Sequence, residues 1–312
     1  MKKVFWLSKA NQNLAKEEIF ALANTKKSDL HENLLVLDTN FDFERLAYTK
    51  SVYDLLFICT KKQLIGKMKE FDWQKVYKTS FCVRIFGEDK SKERDFAGYV
   101  WDNVKKPKVS LEKPKTSIHL FFTKKKVLVC LLNKKIKAGF EKRRAHLRPE
   151  MHPSSLHPRL ARAMVNLTGI KKGTIIDPFC GTGGNMIEAG LIGLNIEGYD
   201  IEQPMLDMAE KNLKFFKLKH KLAKKDATTI KKKLNYVVSD LPYAKSTRSQ
   251  NLEMLYTKFF EVLKKNLGKK AVLGLPSFIN NRKLLRKAGL KIENEFNFYI
   301  HKSLSKKIFV IS

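Results

Sequence analysis

Two short segments combine residue types and spacings suited to chemistry. The first is residues 175–200, IIDPFCGTGGNMIEAGLIGLNIEGYD. Its apolar pair, Ile175 and Ile176, runs into Asp177, Pro178, Phe179 and Cys180. Gly181, Gly183 and Gly184 then make a tight turn, residues 185–194 read as a helix, and a second short strand at 196–199 ends at Asp200 and Ile201. Strand, glycine turn, helix, strand, acid predicts the nucleotide-binding half of a doubly wound sheet. Glycines let the backbone approach a ligand, and the later acid accepts hydrogen bonds from ribose hydroxyls. The second segment is a strand at 236–239 that passes straight into Asp240, Leu241, Pro242 and Tyr243.

The type of ligand follows from what the glycine turn lacks. A dinucleotide fingerprint places a third glycine where this chain has Ile187. A pyrophosphate also favours a helix N-terminus free of negative charge, whereas Asp177 sits at the strand tip. An acid there suits a cation, such as the sulfonium and amino group of S-adenosylmethionine. Asp226, with Ala227 beside it, ends a further short strand and is expected to accept a hydrogen bond from an adenine amino group. A bare connecting turn at 181–184 and an exposed turn acid at 226 are the competing readings. The flanking DPFC and Asp200 argue against the first.

The tetrapeptide at 240–243 resembles the (D/N)PPY motif of methyltransferases that act on amino groups of planar rings. An exocyclic amine delocalises its lone pair into the ring and is a poor nucleophile. Two acceptors holding its N–H bonds aim the lone pair at the methyl donor. The Asp240 side chain and the Leu241 carbonyl supply them, Pro242 stiffens the turn, and Tyr243 offers a π face for the base. A base in folded RNA must first leave its stack, at a cost of a few kcal/mol. Leu241 departs from the motif's proline; the carbonyl survives that change, while turn rigidity is expected to fall.

Composition sets the surroundings. In 312 residues, 62 Lys and Arg face 31 Asp and Glu, a net charge of +31 at pH 7 with lysines spread along the whole chain. Such a field attracts polyanions and makes their binding salt-dependent; a Lys-rich surface adapted to salt or heat is the alternative. The apolar fraction of 43% is that of a globular protein, not a basic tail. Four separated cysteines form no CxxC pair, so neither a metal site nor a disulfide framework is expected. No apolar run approaches the ~20 residues of a membrane span, and the apolar stretch at the start is too short for a signal peptide. A reduced, cytoplasmic setting, no membrane partner and a monomeric chain are expected.

The elements that must position these residues fall into four stretches. Residues 1–60 read as a ferredoxin-like α+β unit, with strands at 4–7, 34–37 and 53–59 and helices at 13–23 and 42–50. Residues 61–137 read as a second unit, with helices at 64–68 and 91–104, a strand at 80–86 and a hairpin at 117–122 and 127–132. Its strand–helix–VxLxxP–hairpin order resembles the THUMP domain, an RNA-binding module, and Lys105, Lys106, Lys108, Lys113 and Lys115 crowd the loop before the hairpin. Residues 138–157 read as a linker whose His152 and His157 fix a loop or face RNA rather than bind metal. Residues 158–312 complete the catalytic domain, with a Pro-started helix at 158, a Met/Phe core stripe on the helix after Asp200, and a closing hairpin at 296–301 and 306–311.

Taken in order, HPSSLHPRLARAMVNL, DPFCGTGGNMIEAG, DLPY and HKSLSKKIFVI resemble the archaeal THUMP-containing tRNA guanosine N2-methyltransferases that modify position 10. The likeness spans the whole chain and is tightest in residues 149–200 and the closing hairpin. It implies an α/β fold, a Rossmann-like S-adenosylmethionine-dependent methyltransferase domain preceded by an α+β THUMP-containing region. It also implies N2-methyl- and N2,N2-dimethylguanosine as products, and tRNA gripped by the N-terminal half. Asp240, not Asn, favours the position-10 branch over the position-6 enzymes. The alternatives are another tRNA or rRNA position, adenine in DNA, and an inactive RNA-binding subunit.

Overall fold

Strand-forming segments in residues 1–137 build one mixed sheet rather than two. The structure, a computed structural model, describes residues 1–243, 249–301 and 304–312. It divides into two compact units, one of residues 1–12, 25–44 and 49–137 and the other of residues 13–24, 45–48 and 138–312.

The first unit holds β1 (Lys3–Leu7), β2 (Asp29–His31), β3 (Leu34–Leu37), β4 (Thr49–Cys59), β5 (Phe81–Phe86), β6 (Thr116–Phe122) and β7 (Val127–Lys135) in the order β2-β3-β1-β4-β7-β6-β5. The seam is β4 against β7, antiparallel from Ser51↔Lys135 to Cys59↔Val127. This joins strands that the sequence assigned to separate stretches on either side of residue 60. One apolar layer accordingly mixes Val4, Leu34, Val36 and Tyr53 with Phe121, Leu128 and Cys130. A second layer packs α2 (Leu64–Glu70) and α3 (Glu93–Trp101) around Trp73, whose indole N–H donates to the Met68 carbonyl at 2.7 Å. The helix expected at 42–50 is absent: a single 3-10 turn at Phe43–Arg45 gives way to β4, which starts at the β-branched Thr49.

The second unit is a seven-stranded sheet of β8 (Thr174–Asp177), β9 (Asn195–Asp200), β10 (Lys221–Lys224), β11 (Leu234–Asp240), β12 (Leu267–Pro276), β13 (Ile292–His301) and β14 (Leu304–Ile311). Its order is β10-β9-β8-β11-β12-β14-β13, parallel from β10 to β12. The last strand in sequence, β14, inserts antiparallel between β12 and β13. The chain winds outward from β8 in one direction and from β11 in the other. The carboxyl ends of these neighbours are therefore the topological switch point, where open α/β sheets hold ligands. The helices are α4 (Pro158–Leu167), α5 (Gly184–Gly190), α6 (Gln203–Phe215), α7 (Ser249–Asn266) and α8 (Asn281–Lys287). Tyr256, Phe259, Phe260 and Leu263 of α7 pack with Val237, Leu241, Leu273 and Phe309 to form the core beneath that point.

Polar residues fasten outlying segments to this unit. Residues 13–23 of the first helix, α1 (Gln12–Ala23), bring in Glu18, which is fully buried. Its carboxylate accepts from the Ala47 and Tyr48 N–H groups at 2.8 and 3.1 Å and from Asn166 Nδ2 at 2.7 Å. Residues 138–157, expected as a linker, also lie in the second unit. Arg143 donates to both oxygens of the fully buried Glu188 at 2.7 and 3.0 Å, Arg162 reaches the same carboxylate at 2.8 Å, and Phe140 lies under Arg143 and Arg159. A buried carboxylate is tolerated where it is ion-paired and hydrogen-bonded in this way, so Arg143 of this stretch serves to hold Glu188.

Candidate active site

The glycine turn forms because Gly181 and Gly183 adopt φ of +49° and +82°, a left-handed backbone that side-chain-bearing residues avoid. Asp200 at the tip of β9 ties the turn down. Its Oδ2 accepts from the Gly181 N–H at 2.9 Å and its Oδ1 from the Glu202 N–H at 3.1 Å. Each oxygen keeps a lone pair free for a further donor. Close packing lies behind the turn, where a Cβ on Gly198 would come within 2.4 Å of Met186 Sδ. Asp226 caps the turn Ala227–Thr229, and both of its bonds, from Thr228 N–H and Oγ1 at 2.8 Å, fall on Oδ1.

Asp177 lines the cavity and its carboxylate also accepts from protein donors: Ser239 Oγ at 2.6 Å, Asn185 Nδ2 at 3.0 Å and the Phe179 N–H at 3.2 Å. A carboxylate 1% exposed needs several donors to remain buried, and these three come from β11, α5 and the turn. Asp177 thus joins β8 to β11 at the switch point. Burial pushes its carboxyl up to about 7, the three hydrogen bonds oppose that rise, and the Asp240 charge adds to it. The folded protein then holds a proton that an unfolded aspartate releases near pH ~4. This group therefore makes the fold less stable as pH rises from about 4 to about 7. Asp177→Asn is expected to flatten that part of the stability curve, read as denaturant midpoints from about pH 4 to about pH 8; an unchanged slope would place the titration elsewhere.

The turn after β11 is held from three sides. Leu241 donates its N–H to the Gly274 carbonyl at 3.0 Å and buries its side chain completely. Tyr256 Oη donates to the Pro242 carbonyl at 2.7 Å. The rigidity expected to fall with leucine in place of proline is supplied by these two bonds. Asp240 is bonded by Lys306 through Oδ2, while its Oδ1 is buried and has no hydrogen-bond partner among the described residues. That oxygen sits where Gly274 has no side chain, since a Cβ there would lie 2.5 Å away. Burial holds the Asp240 carboxyl above its usual range, and the charge and hydrogen bond of Lys306 oppose that rise in part.

These pieces line one cavity of about 640 Å³, a volume ordinary for small-molecule sites. Asp177, Pro178, Phe179, Cys180, Gly181, Gly184, Asp200, Ile201, Asp226, Ala227, Asp240, Leu241, Pro242 and Tyr243 all contribute to its wall; Gly183 instead backs onto Ala209 and Leu213 of α6. Sequence reasoning missed several further wall residues. Met205, expected in the core stripe of α6, lines the cavity, while the polar Asn212 is fully buried beside Ala209 and Leu213 of that stripe. Asn212 bonds the Glu150 and Thr182 carbonyls at 3.0 Å, and so holds residue 150 to the glycine turn. Ser155, Thr182, Asn185, Glu202 and Lys225 are also in the wall. His152 lines it with Nδ1 2.7 Å from Ser154 Oγ, and His157 caps α4, consistent with loop-fixing roles. Among the described residues no His/Cys/Asp/Glu cluster is arranged to hold a metal, and no helix is long and apolar enough to cross a membrane.

Comparison with known proteins agrees with this geometry. A family model described as RMKL-like, methyltransferase domain, matches residues 145–306. A second, described as DNA methylase, matches residues 2–211 and so stops short of the Asp240 turn. The tRNA (guanine(10)-N2)-dimethyltransferase of Methanothermobacter thermautotrophicus is 32% identical over 86% of this chain and 83% of its own length. The enzyme of that name from Pyrococcus abyssi is 31% identical over 96% of this chain and 95% of its own. The chain belongs to the tRNA (guanine(10)-N2)-dimethyltransferase family. The fold of the family member described here is shared with TrmN from Thermus thermophilus, at a TM-score of 0.54 and 17% identity over 100% of this chain and 99% of that one.

The wall also fits the methyl donor of such an enzyme. Asn185 Oδ1 is a buried acceptor without a partner among the described residues, Gly181 and Gly184 present bare backbone, and Asp200 and Asp226 add carboxylates. These acceptors suit S-adenosylmethionine with its amino, hydroxyl and sulfonium groups.

Proposed function

We infer that this chain transfers methyl groups from S-adenosylmethionine to the exocyclic N2 amine of guanosine 10 in tRNA, giving N2-methyl- and N2,N2-dimethylguanosine. The observation that carries the reading is the juxtaposition at the switch point. Asp240 shares one cavity with Asp200 and the glycine turn, and Ser239 links its strand to Asp177.

S-adenosylmethionine supplies an electrophilic methyl group on a positively charged sulfur. Asp200 accepts the ribose hydroxyls, Asp226 the adenine amino group through Oδ2, and Asn185 Oδ1 the amino group of the methionine end. Tyr243 stacks on the flipped guanine. Asp240 and the Leu241 carbonyl accept the two N–H bonds of N2, which directs the nitrogen lone pair along the line of displacement. As the new C–N bond forms, the C–S pair stays on sulfur, and the N2 proton, made acidic by the added methyl, passes to Asp240 or water.

The first unit is the tRNA-gripping part. Lys105, Lys106, Lys108, Lys113 and Lys115 are all exposed, and neighbouring Trp101 and Leu111 are exposed as well, at 46% and 61%. Cations tracking phosphates beside an open aromatic ring are what a folded RNA requires.

The test is to incubate the enzyme with labelled S-adenosylmethionine and unmodified tRNA transcripts carrying guanosine or adenosine at position 10, then analyse the nucleosides by mass. Label confined to the guanosine transcript, in mono- and dimethylguanosine, is expected. Transfer that persists without that guanosine overturns the position, and none to any RNA overturns the reaction.

A further inference from the structure

Lys306 is fully buried on the strand that ends the chain, and it touches both side chains to which the reaction assigns the incoming base. Its Nζ bonds Asp240 Oδ2 and lies 4.1 Å from the centroid of the Tyr243 ring. Nothing in the cofactor wall uses it. Ile308 and Val310, two and four residues further along the same face of β14, are buried and apolar. A lysine breaking that row pays a desolvation cost that an apolar residue would avoid. Access to Asp240 comes from topology. β14 inserts beside β12, where Pro276 faces Lys306, and Gly274 of β12 has no side chain between β11 and β14.

We infer that Lys306 is the positioning residue of the methyl-transfer turn. Its ammonium holds the Asp240 carboxylate ionised and fixed in place for the guanine amine, and it backs one face of Tyr243 so that the opposite face receives the base. The inference rests on the assignment of Asp240 as an acceptor for that amine.

Two consequences follow from the charge. Asp240 in its buried position is an effective acceptor only while ionised, and an opposite charge in contact keeps it so. Among the described residues the other groups facing it do not supply one. Asp177 of β8 is itself acidic, Tyr243 and Tyr256 of α7 are phenols, and β12 presents only Gly274. The ring is held by cation–π attraction, which depends on the same charge. The role therefore belongs to the ammonium as a cation, not merely as a donor.

The test uses Lys306→Met, Lys306→Gln and Lys306→Arg in the full chain, each checked for folding by circular dichroism. The Met and Gln variants are expected to move the acid limb of the kcat profile to higher pH by about one unit or more. On that limb one unit is about a tenfold loss of kcat. KM for S-adenosylmethionine should stay within about twofold, and the deficit should shrink as pH rises above the limb. Lys306→Arg should keep the wild-type limb. A uniform loss of kcat at every pH, with the limb unmoved, overturns the inference.

A second readout needs no activity: titration of the Asp240 carboxyl by carbon-13 NMR, assigned by difference from Asp240→Asn. The carboxyl should titrate higher in the Met and Gln variants and not in Arg. If it is unmoved in Met and Gln, Lys306 does not set its charge, whatever the enzyme methylates. If it moves as expected while transfer ignores guanosine 10, the functional reading fails and the inference about Lys306 stands.

Discussion

Asp240→Ala lowers methyl transfer by about 10²-fold or more, comparable with removing one preorganised polar group from a site of developing charge, while affinity for S-adenosylmethionine stays nearly constant. The split follows from where the side chain sits. Asp240 ends β11, and neither of its oxygens contacts the glycine turn: Lys306 takes Oδ2, and Oδ1 has no partner among the described residues. The groups assigned to the donor, Asp200, Asp226 and Asn185, are fixed by the Gly181 and Glu202 N–H groups, by Thr228 and by Asp177 respectively. Removing Asp240 touches none of these. It does strand a buried ammonium, so some loss of stability accompanies the variant. Asp240→Asn separates the two effects, because it keeps shape and one acceptor but loses the charge. The measurement is single-turnover methylation of a tRNA transcript beside calorimetric titration with S-adenosylmethionine. Equal losses in both would mean that Asp240 shapes the donor site, and the two-acceptor mechanism would be wrong.

What the sequence reveals about this site is what lies close together in the chain. The turn from Asp177 to Asp200 is legible because its requirements are local: glycines where φ is positive, and an acid one strand further on. The strand into Asp240–Tyr243 is legible for the same reason. Lys306 is not, because it stands 66 positions from Asp240 and reaches it only when the final strand inserts out of sequence order between β12 and β13. The bond from Ser239 to Asp177 was hidden likewise, since it spans 62 positions and depends on β8 lying beside β11. Met205 was expected in the core because hydrophobic periodicity assigns a helix face without knowing that one end of it borders a cavity. In the first unit, the division at residue 60 treats β4 as the end of a domain. The eleven residues of that strand instead pair along most of their length with β7, a long-range pairing that no local pattern announces.

Affinity for tRNA is expected to fall by about 10³–10⁵ between roughly 50 and 200 mM salt, the loss shown by proteins that neutralise about 6–10 phosphates. The driving force is release of counterions condensed on the nucleic acid, so the slope of log affinity against log salt counts the phosphate contacts. This chain has the charge for it: a surplus of +31, twice as many basic as acidic residues, and five exposed lysines in one loop of the first unit. Many acidic side chains are already engaged, as in Lys61–Glu88, Lys211–Glu150 and Lys232–Glu197, so few are left to offset the surplus of basic residues. Binding of S-adenosylmethionine supplies the control. Its carries one sulfonium into a cavity whose contacts are short-ranged, so its affinity should change little over the same range. Filter binding or fluorescence anisotropy with a full tRNA transcript gives the slope. A flat response would mean that the lysines serve solubility and that tRNA is held by shape and stacking. A steep slope that persists after the five loop lysines are replaced by alanine would move the grip away from that loop while leaving its electrostatic nature intact.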